Sequence, residues 1–319
     1  MKITTDIAGL ERVAPRNVTV AAIPQSLVAS RWKRNLKLFV SALGSHHLVI
    51  HFSLPEIIFF SVCLSLAPFR RCRITTLDFF AGDIRPAMRP LVRWSLGRVA
   101  RFLVYFRDTS VFEQLLGLRR SKFHYIPFKV NALELISGAH QYDGGYIFSG
   151  GRSRRDFATL FKAVGNLGYP VKLLTGEEAD LTPHGSTLNG LTVPENVELL
   201  RNDSSMQSFV QLLAGARLVV IPLLKNTRTQ AGIGVYLQAM AARKCVIISS
   251  GLGVSDVLTD DLAIIVPAGD AEALQVSVKR AWEDADLRER YAAASARYAL
   301  ALGAEDELRK SVLNALPEN

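Results

Sequence analysis

The stretch Thr229-Gln230-Ala231-Gly232-Ile233-Gly234-Val235-Tyr236-Leu237-Gln238-Ala239-Met240-Ala241 decides how this chain folds. It follows an apolar run closed by a proline, Leu218-Val219-Val220-Ile221-Pro222, and opens a helix through two glycines. With no Cβ at 232 and 234, main-chain N–H groups can approach a ligand closely. The helix start adds partial positive charge, so an anionic group, phosphate above all, suits the place.

The same strand-to-helix alternation extends outward. Short apolar runs at 146–149, 171–174, 197–200, 218–221, 245–249 and 263–266 are bounded by Gly, Pro or Asp. Phe157, Leu160, Phe161 and Val164 repeat at the helical period between two of them. Asp270 stands as N-cap of a long helix with Leu274, Val278, Ala281 and Trp282 on one face. Buried parallel strands alternating with helices predict a doubly wound α/β sheet. The first half is less regular, with candidate strands at 18–23, 48–52, 73–77, 102–106 and 123–126. The small, polar segment 137–145 is the expected linker. The expected domains are 1–138 and 145–300, with a helix at 301–319 packing back toward the first. Two Rossmann-like halves facing across a cleft would hold ligands at the carboxyl ends of their strands.

At 319 residues, 49% apolar and 21% charged, the chain can build two cores and is not disordered. Its charge is uneven. Residues 1–140 hold 20 Lys/Arg against 8 Asp/Glu, and the remainder 18 against 21. A strongly basic half suits an anionic partner. Cys63, Cys72 and Cys245 form no C-x-x-C pair, which favours reduced, cytosolic thiols. Asp6 and Glu11 precede any apolar run, which speaks against a secretory signal. The expected location is the cytoplasm, peripheral on the inner face of its membrane.

A second constellation, Phe148-Ser149-Gly150-Gly151-Arg152-Ser153-Arg154-Arg155-Asp156-Phe157, reads as strand, glycine turn, three arginines and helix. Guanidinium forks pair bidentately with phosphoryl oxygens, so a diphosphate suits it. It is neither a Walker loop nor a G-x-G-x-x-G fingerprint.

Together the two segments resemble the retaining GT-B glycosyltransferases of family 4, whose signature usually reads E-G-F-G-(x)4-E-A-M-A. Here Gln230 and Gln238 keep the spacing of the two acids without their charge. The likeness covers roughly 145–300, and the first half follows the family in outline only. The resemblance implies a GT-B fold and transfer of a sugar from a nucleotide-diphosphate-sugar, with no metal or other cofactor. It places the residue at 230 on the donor sugar and the one at 238 on the ribose. It also places Gly151, Arg152, Gly232, Ile233 and Gly234 around the donor, with Arg155 roughly where the family has a lysine. Arg228 and Lys225 precede the helix and can add positive charge there. Amides still accept and donate hydrogen bonds, so a changed donor and a weakened site are both consistent with the substitutions.

On the acceptor side, His51 and Asp78 are the candidates, each at a strand end; the family often carries His-Asp where Leu77-Asp78 stands here. His47 and His51 share a strand face, but no third metal ligand is evident. The apolar stretch 57–68 is too short to span a bilayer, leaving a buried helix or an interfacial one. Arg85, Arg89, Arg93, Arg98 and Arg101 recur among apolar residues as on a helix with one cationic face. That pattern favours a membrane surface or an anionic, lipid-linked acceptor over nucleic acid, and the expected acceptor is a glycan or is lipid-linked. The alternative to an active transferase is a catalytically inactive scaffold of the same fold that binds nucleotide or a partner. An epimerase lacks support from the Q-A-M-A segment, and a nicotinamide oxidoreductase lacks the glycine fingerprint.

Overall fold

Runs of Val, Ile, Leu and Phe between Gly, Pro and Asp become parallel strands in the computed structural model. It describes every residue except 29, 68–71, 81, 83, 202, 226, 227, 318 and 319. Two units emerge: Met1–Pro127 with Asp306–Asn319, and Phe128–Glu305.

The first unit holds β1 (Lys2–Thr5), β2 (Thr19–Ala22), β3 (His47–His51), β4 (Arg73–Leu77), β5 (Val99–Val104) and β6 (Phe123–Tyr125). They form one parallel sheet in the order β2-β1-β3-β4-β5-β6. Its helices are α1 (Arg31–Ala42), α2 (Leu54–Ser65), α3 (Arg89–Arg98) and α4 (Ser110–Leu116). From β2 onward every crossover steps the same way across the sheet, so right-handed connections put these helices on one face.

The second unit holds α5 (Leu133–Gly138), β7 (Ile147–Gly150), α6 (Phe157–Val164), β8 (Val171–Thr175), α7 (Glu178–Leu181), β9 (Val197–Arg201) and α8 (Met206–Ala214). It continues with β10 (Leu218–Ile221), α9 (Ile233–Ala241), β11 (Cys245–Ser249), β12 (Ile264–Val266), α10 (Ala271–Glu283) and α11 (Ala285–Leu302). The chain then returns to the first unit through α12 (Glu305–Asn314). The second sheet is parallel in the order β12-β11-β10-β7-β8-β9. Neighbouring strand residues alternate between two cores: Ile147, Val220 and Ile247 face one, Phe148, Val219 and Ile248 the other. Both faces are therefore covered, as a doubly wound sheet requires. Strand order reverses between β7 and β10. That is the switch point where such sheets open a crevice at their carboxyl ends.

Some expectations need correction. The basic pattern 85–101 is not one helix: α3 stops at Arg98, and Arg101 lies in β5, its guanidinium bonded to the Ala315 carbonyl at 2.7 Å. The β-branched and aromatic run from Val99 pairs with β4 and β6, and sheet pairing overrides the helical spacing of the arginines. The apolar stretch 57–68 is α2 with Ile57, Phe60 and Leu64 buried, and its final Pro68, like Arg70 and Arg71, lies outside the described residues. Among the described residues no helix is long and apolar enough to cross a membrane. Residues 137–145 are tied into the second unit, with Tyr142 N bonded to Ala214 O and Gly144 N to Gly215 O.

Candidate active site

At the switch point, the loops after β7 and β10 are bonded to each other. Arg155 and Leu223 form an isolated antiparallel bridge. Leu224 N donates to Arg154 O at 3.0 Å and Asp156 N to Pro222 O at 3.2 Å. Ser186 Oγ accepts from Arg155 N (2.8 Å) and donates to Arg152 O (2.6 Å), fixing the loop from the other side. Leu223 N in turn donates to Ser249 Oγ at the end of β11. Three strand ends are thereby held in one geometry.

This frame selects one arginine of the three. Gly151 adopts φ +101°, a conformation closed to most side chains, and turns the chain sharply out of β7. Arg152 is exposed after that turn, and Arg154 is exposed with φ 53° and its guanidinium against Gly185. Arg155 points inward and is only 3% exposed. Its Nε donates to the Gly150 carbonyl at 3.2 Å, while Nη1 has no hydrogen-bond partner among the described residues. Burial lowers its pKa to about 10, so it remains charged at neutral pH. The carboxylate next to it, Asp156, is committed to capping α6 through Thr159 N at 3.0 Å. A buried cation without a counter-charge is costly unless an anion completes it.

The guanidinium lies between the two glycine turns. A Cβ on Gly151 would collide with it, and a Cβ on Gly232 would lie 3.3 Å from Nη1. Gly232 is the N-cap of α9, with φ +87°, and among the described residues no side-chain cap hydrogen bond forms there. The uncapped helix start and the buried charge thus converge on one spot. Among the sequence-nominated donor residues, the structure gathers Gly151, Arg155 and Gly232, with Ile233 and Gly234 following as the first residues of α9. A Cβ on Gly234 would lie 3.0 Å from Asn131 Nδ2.

Gln230 is half-buried in the turn before Ala231. Gln238 is buried on α9, its Nε2 donating to the Met206 sulfur at 3.3 Å. Arg228 is exposed, whereas the Lys225 stem lies over Gly269 after β12, Cδ 3.3 Å from a Cβ placed there.

In the first unit, His51 closes β3 beside Leu77 of β4, whose next residue, Asp78, is exposed with φ 63°. Asp6, just past β1, accepts from both His51 N (2.9 Å) and His51 Nδ1 (3.2 Å). The Asp6 side chain is 6% exposed and that of His51 55%. The dyad sits at the carboxyl ends of adjacent parallel strands. Among the described residues no group of three His, Cys, Asp or Glu is arranged to hold a metal.

Sequence reasoning missed Asp6, Ser186, Asn131 and Met206. None carried a local signal, since Asp6 follows the polar strand β1 and the others are brought in by topology.

Residues 173–298 match the family described as glycosyl transferases group 1. Among solved structures, HepE from Anabaena in complex with UDP and glucose superposes with a TM-score of 0.69 at 11% identity, covering 98% of each chain. A glycosyltransferase from Rickettsia africae ESF-5 gives 0.68 at 11% identity over 98% of this chain and 97% of that one. Sucrose-phosphate synthase from Thermosynechococcus elongatus gives 0.66 at 15% identity over 92% and 80%. The sequence matches no curated relative.

Proposed function

We propose that this chain, a GT-B glycosyltransferase whose residues 173–298 match glycosyl transferases group 1, moves a sugar from a nucleoside-diphosphate donor, with retention at the anomeric carbon, to a glycan or lipid-linked acceptor. One observation carries the donor side: the buried Arg155 guanidinium, with Nη1 unpartnered, lies against the uncapped start of α9. As the bond between the anomeric carbon and the diphosphate breaks, negative charge grows on the diphosphate. A fixed cation and oriented N–H groups stabilise that charge without reorganising, the dominant electrostatic contribution in many enzymes. HepE, solved with UDP and with UDP-glucose, has the same fold and makes UDP the first donor nucleotide to test.

In this reading Gln238 faces the ribose and Gln230 the donor sugar. His51, positioned by Asp6, serves the acceptor side with Asp78 beside it. Arg152 is exposed and guides the donor in. No metal is required, because Arg155 and α9 supply the positive charge.

The test is calorimetric titration of UDP into the native protein and into Arg155→Gln. The expected loss is about 1.5–3 kcal/mol of binding free energy, the range for a hydrogen bond to a charged group. Unchanged affinity in Arg155→Gln would remove the donor assignment. The second reading, a nucleotide-binding scaffold without turnover, is favoured by the amide pair at 230 and 238. It predicts UDP binding with neither transfer nor hydrolysis across a panel of UDP-sugars.

A further inference from the structure

The helical face of the first unit is unusual for a solvated surface. α1 buries Leu38 and Ala42 against the sheet, yet its outer side carries Trp32, Leu36 and Val40 at four-residue intervals, 65%, 47% and 60% exposed. The solvent side of an ordinary amphipathic helix is polar. Trp32 packs edge-on against Phe59 of α2, with centroids 5.8 Å apart and planes at 71°. The apolar strip continues through Val62 of α2 and its C-cap residue Leu66, the latter 81% exposed. Beyond it, α3 exposes Trp94, with the Arg98 guanidinium 5.8 Å from its ring.

The charge on this face has one sign. Lys33 and Lys37 border the α1 strip, and α3 contributes Arg89, Arg93 and Arg98. The only carboxylate in these three helices is Glu56, and its side chain is 5% exposed beneath Arg34 at 2.5 Å. A second copy of this chain would bring the same positive charge to the contact. A nucleic-acid backbone would satisfy the cations but leave Leu36, Val40 and Leu66 unburied. An anionic bilayer satisfies both: tryptophan and aliphatic groups enter the headgroup boundary while lysine and arginine meet lipid phosphates.

We propose that the α1–α2 face, centred on the Trp32–Phe59 contact and extended by Trp94, docks this protein on an anionic lipid bilayer. The inference deepens the acceptor side of the proposed function and does not involve the donor site.

The test is co-sedimentation of the full chain with phosphatidylcholine vesicles, with and without phosphatidylglycerol. Binding is expected only with phosphatidylglycerol and weakens at high salt, with a blue shift of tryptophan emission. The combined variant Trp32→Ser, Leu36→Ser, Val40→Ser and, separately, Lys33→Glu with Lys37→Glu are each expected to bind roughly tenfold or more weakly. Both sets are exposed positions, and a native-like circular dichroism spectrum and urea midpoint in each confirm an intact first unit. Equal binding to neutral vesicles, or native-like binding by both variants, overturns the proposal. So does a dimer in solution that Trp32→Ser dissociates, which assigns the face to a second copy. Vesicle binding without UDP affinity would fail the donor reading alone, and UDP affinity without vesicle binding would fail this one alone.

Discussion

Arg155 and Gly232 are fitted to one another: Nη1 of the arginine lies 3.3 Å from where a side chain on the glycine would begin. The missing Cβ allows the charge to rest at the start of α9. Gly232→Ala therefore acts twice. At φ +87° it introduces backbone strain of about 1–2 kcal/mol, and it crowds the guanidinium. We expect a lower denaturation midpoint together with weaker UDP binding. Gly151→Ala is expected to be more severe, because its Cβ would collide with the same guanidinium at φ +101°. Native-like urea midpoints for both would contradict this geometry.

The Asp6–His51 dyad makes a separable prediction. Asp6→Ala leaves the His51 main-chain N–H without its 2.9 Å acceptor, at a cost of about 1–3 kcal/mol. Asp6→Asn retains an acceptor oxygen and should regain most of that stability. Transfer activity should remain depressed in Asp6→Asn if the carboxylate also sets the His51 ring. Denaturation curves and transfer rates measured side by side on the two variants decide the matter.

Lys244 gives a pH dependence. Its ammonium is buried and donates to Tyr142 O at 3.1 Å and Ala214 O at 2.5 Å, and burial lowers its pKa to about 8 despite nearby Asp143. The unfolded chain keeps its lysine protonated to about 10.5. Between those values the unfolded state binds more protons, so this group makes the protein more stable as pH rises. The stability difference between native protein and Lys244→Met should grow in favour of the native by about 2 kcal/mol from pH 8 to 10.5. A flat difference would show that the amine is not buried in its charged form.

The Arg34–Glu56 pair joins α1 to α2, with both side chains about 95% buried. Arg34→Met leaves the buried Glu56 carboxylate only the exposed Arg31 at 3.4 Å and should cost up to about 3 kcal/mol. Replacing both, Arg34→Met with Glu56→Leu, should recover most of that loss. Equal stability of the single and double variants would contradict the buried-pair reading.

Much of the second unit was legible because its strands are short apolar runs between strong turn formers. The expected 218–221 and 245–249 agree with β10 and β11. β1 was invisible because Lys2, Thr4 and Thr5 look like a polar terminus. Thr4 is nevertheless buried, its hydroxyl satisfied by Ser41 and Ser45. That two glycine turns precede α6 and α9 was readable from composition. Which of three arginines turns inward was not, because that depends on Gly151 φ and on the bridge to Leu223, 68 residues away. Gln238 meeting Met206 and Asp6 meeting His51 are likewise products of topology, joining residues that no local pattern relates.

The closing segment of the chain belongs with its beginning: Arg309 Nε binds the Ala8 carbonyl, and Arg101 binds that of Ala315. One unit is therefore continuous in sequence, while the other is assembled from both ends. A recombinant fragment of residues 128–305 should fold and retain nucleotide affinity, whereas 1–127 expressed alone should aggregate until 306–319 is supplied as a peptide or fused through a short spacer. Nicking the tail would then unfold the first unit while leaving the second intact.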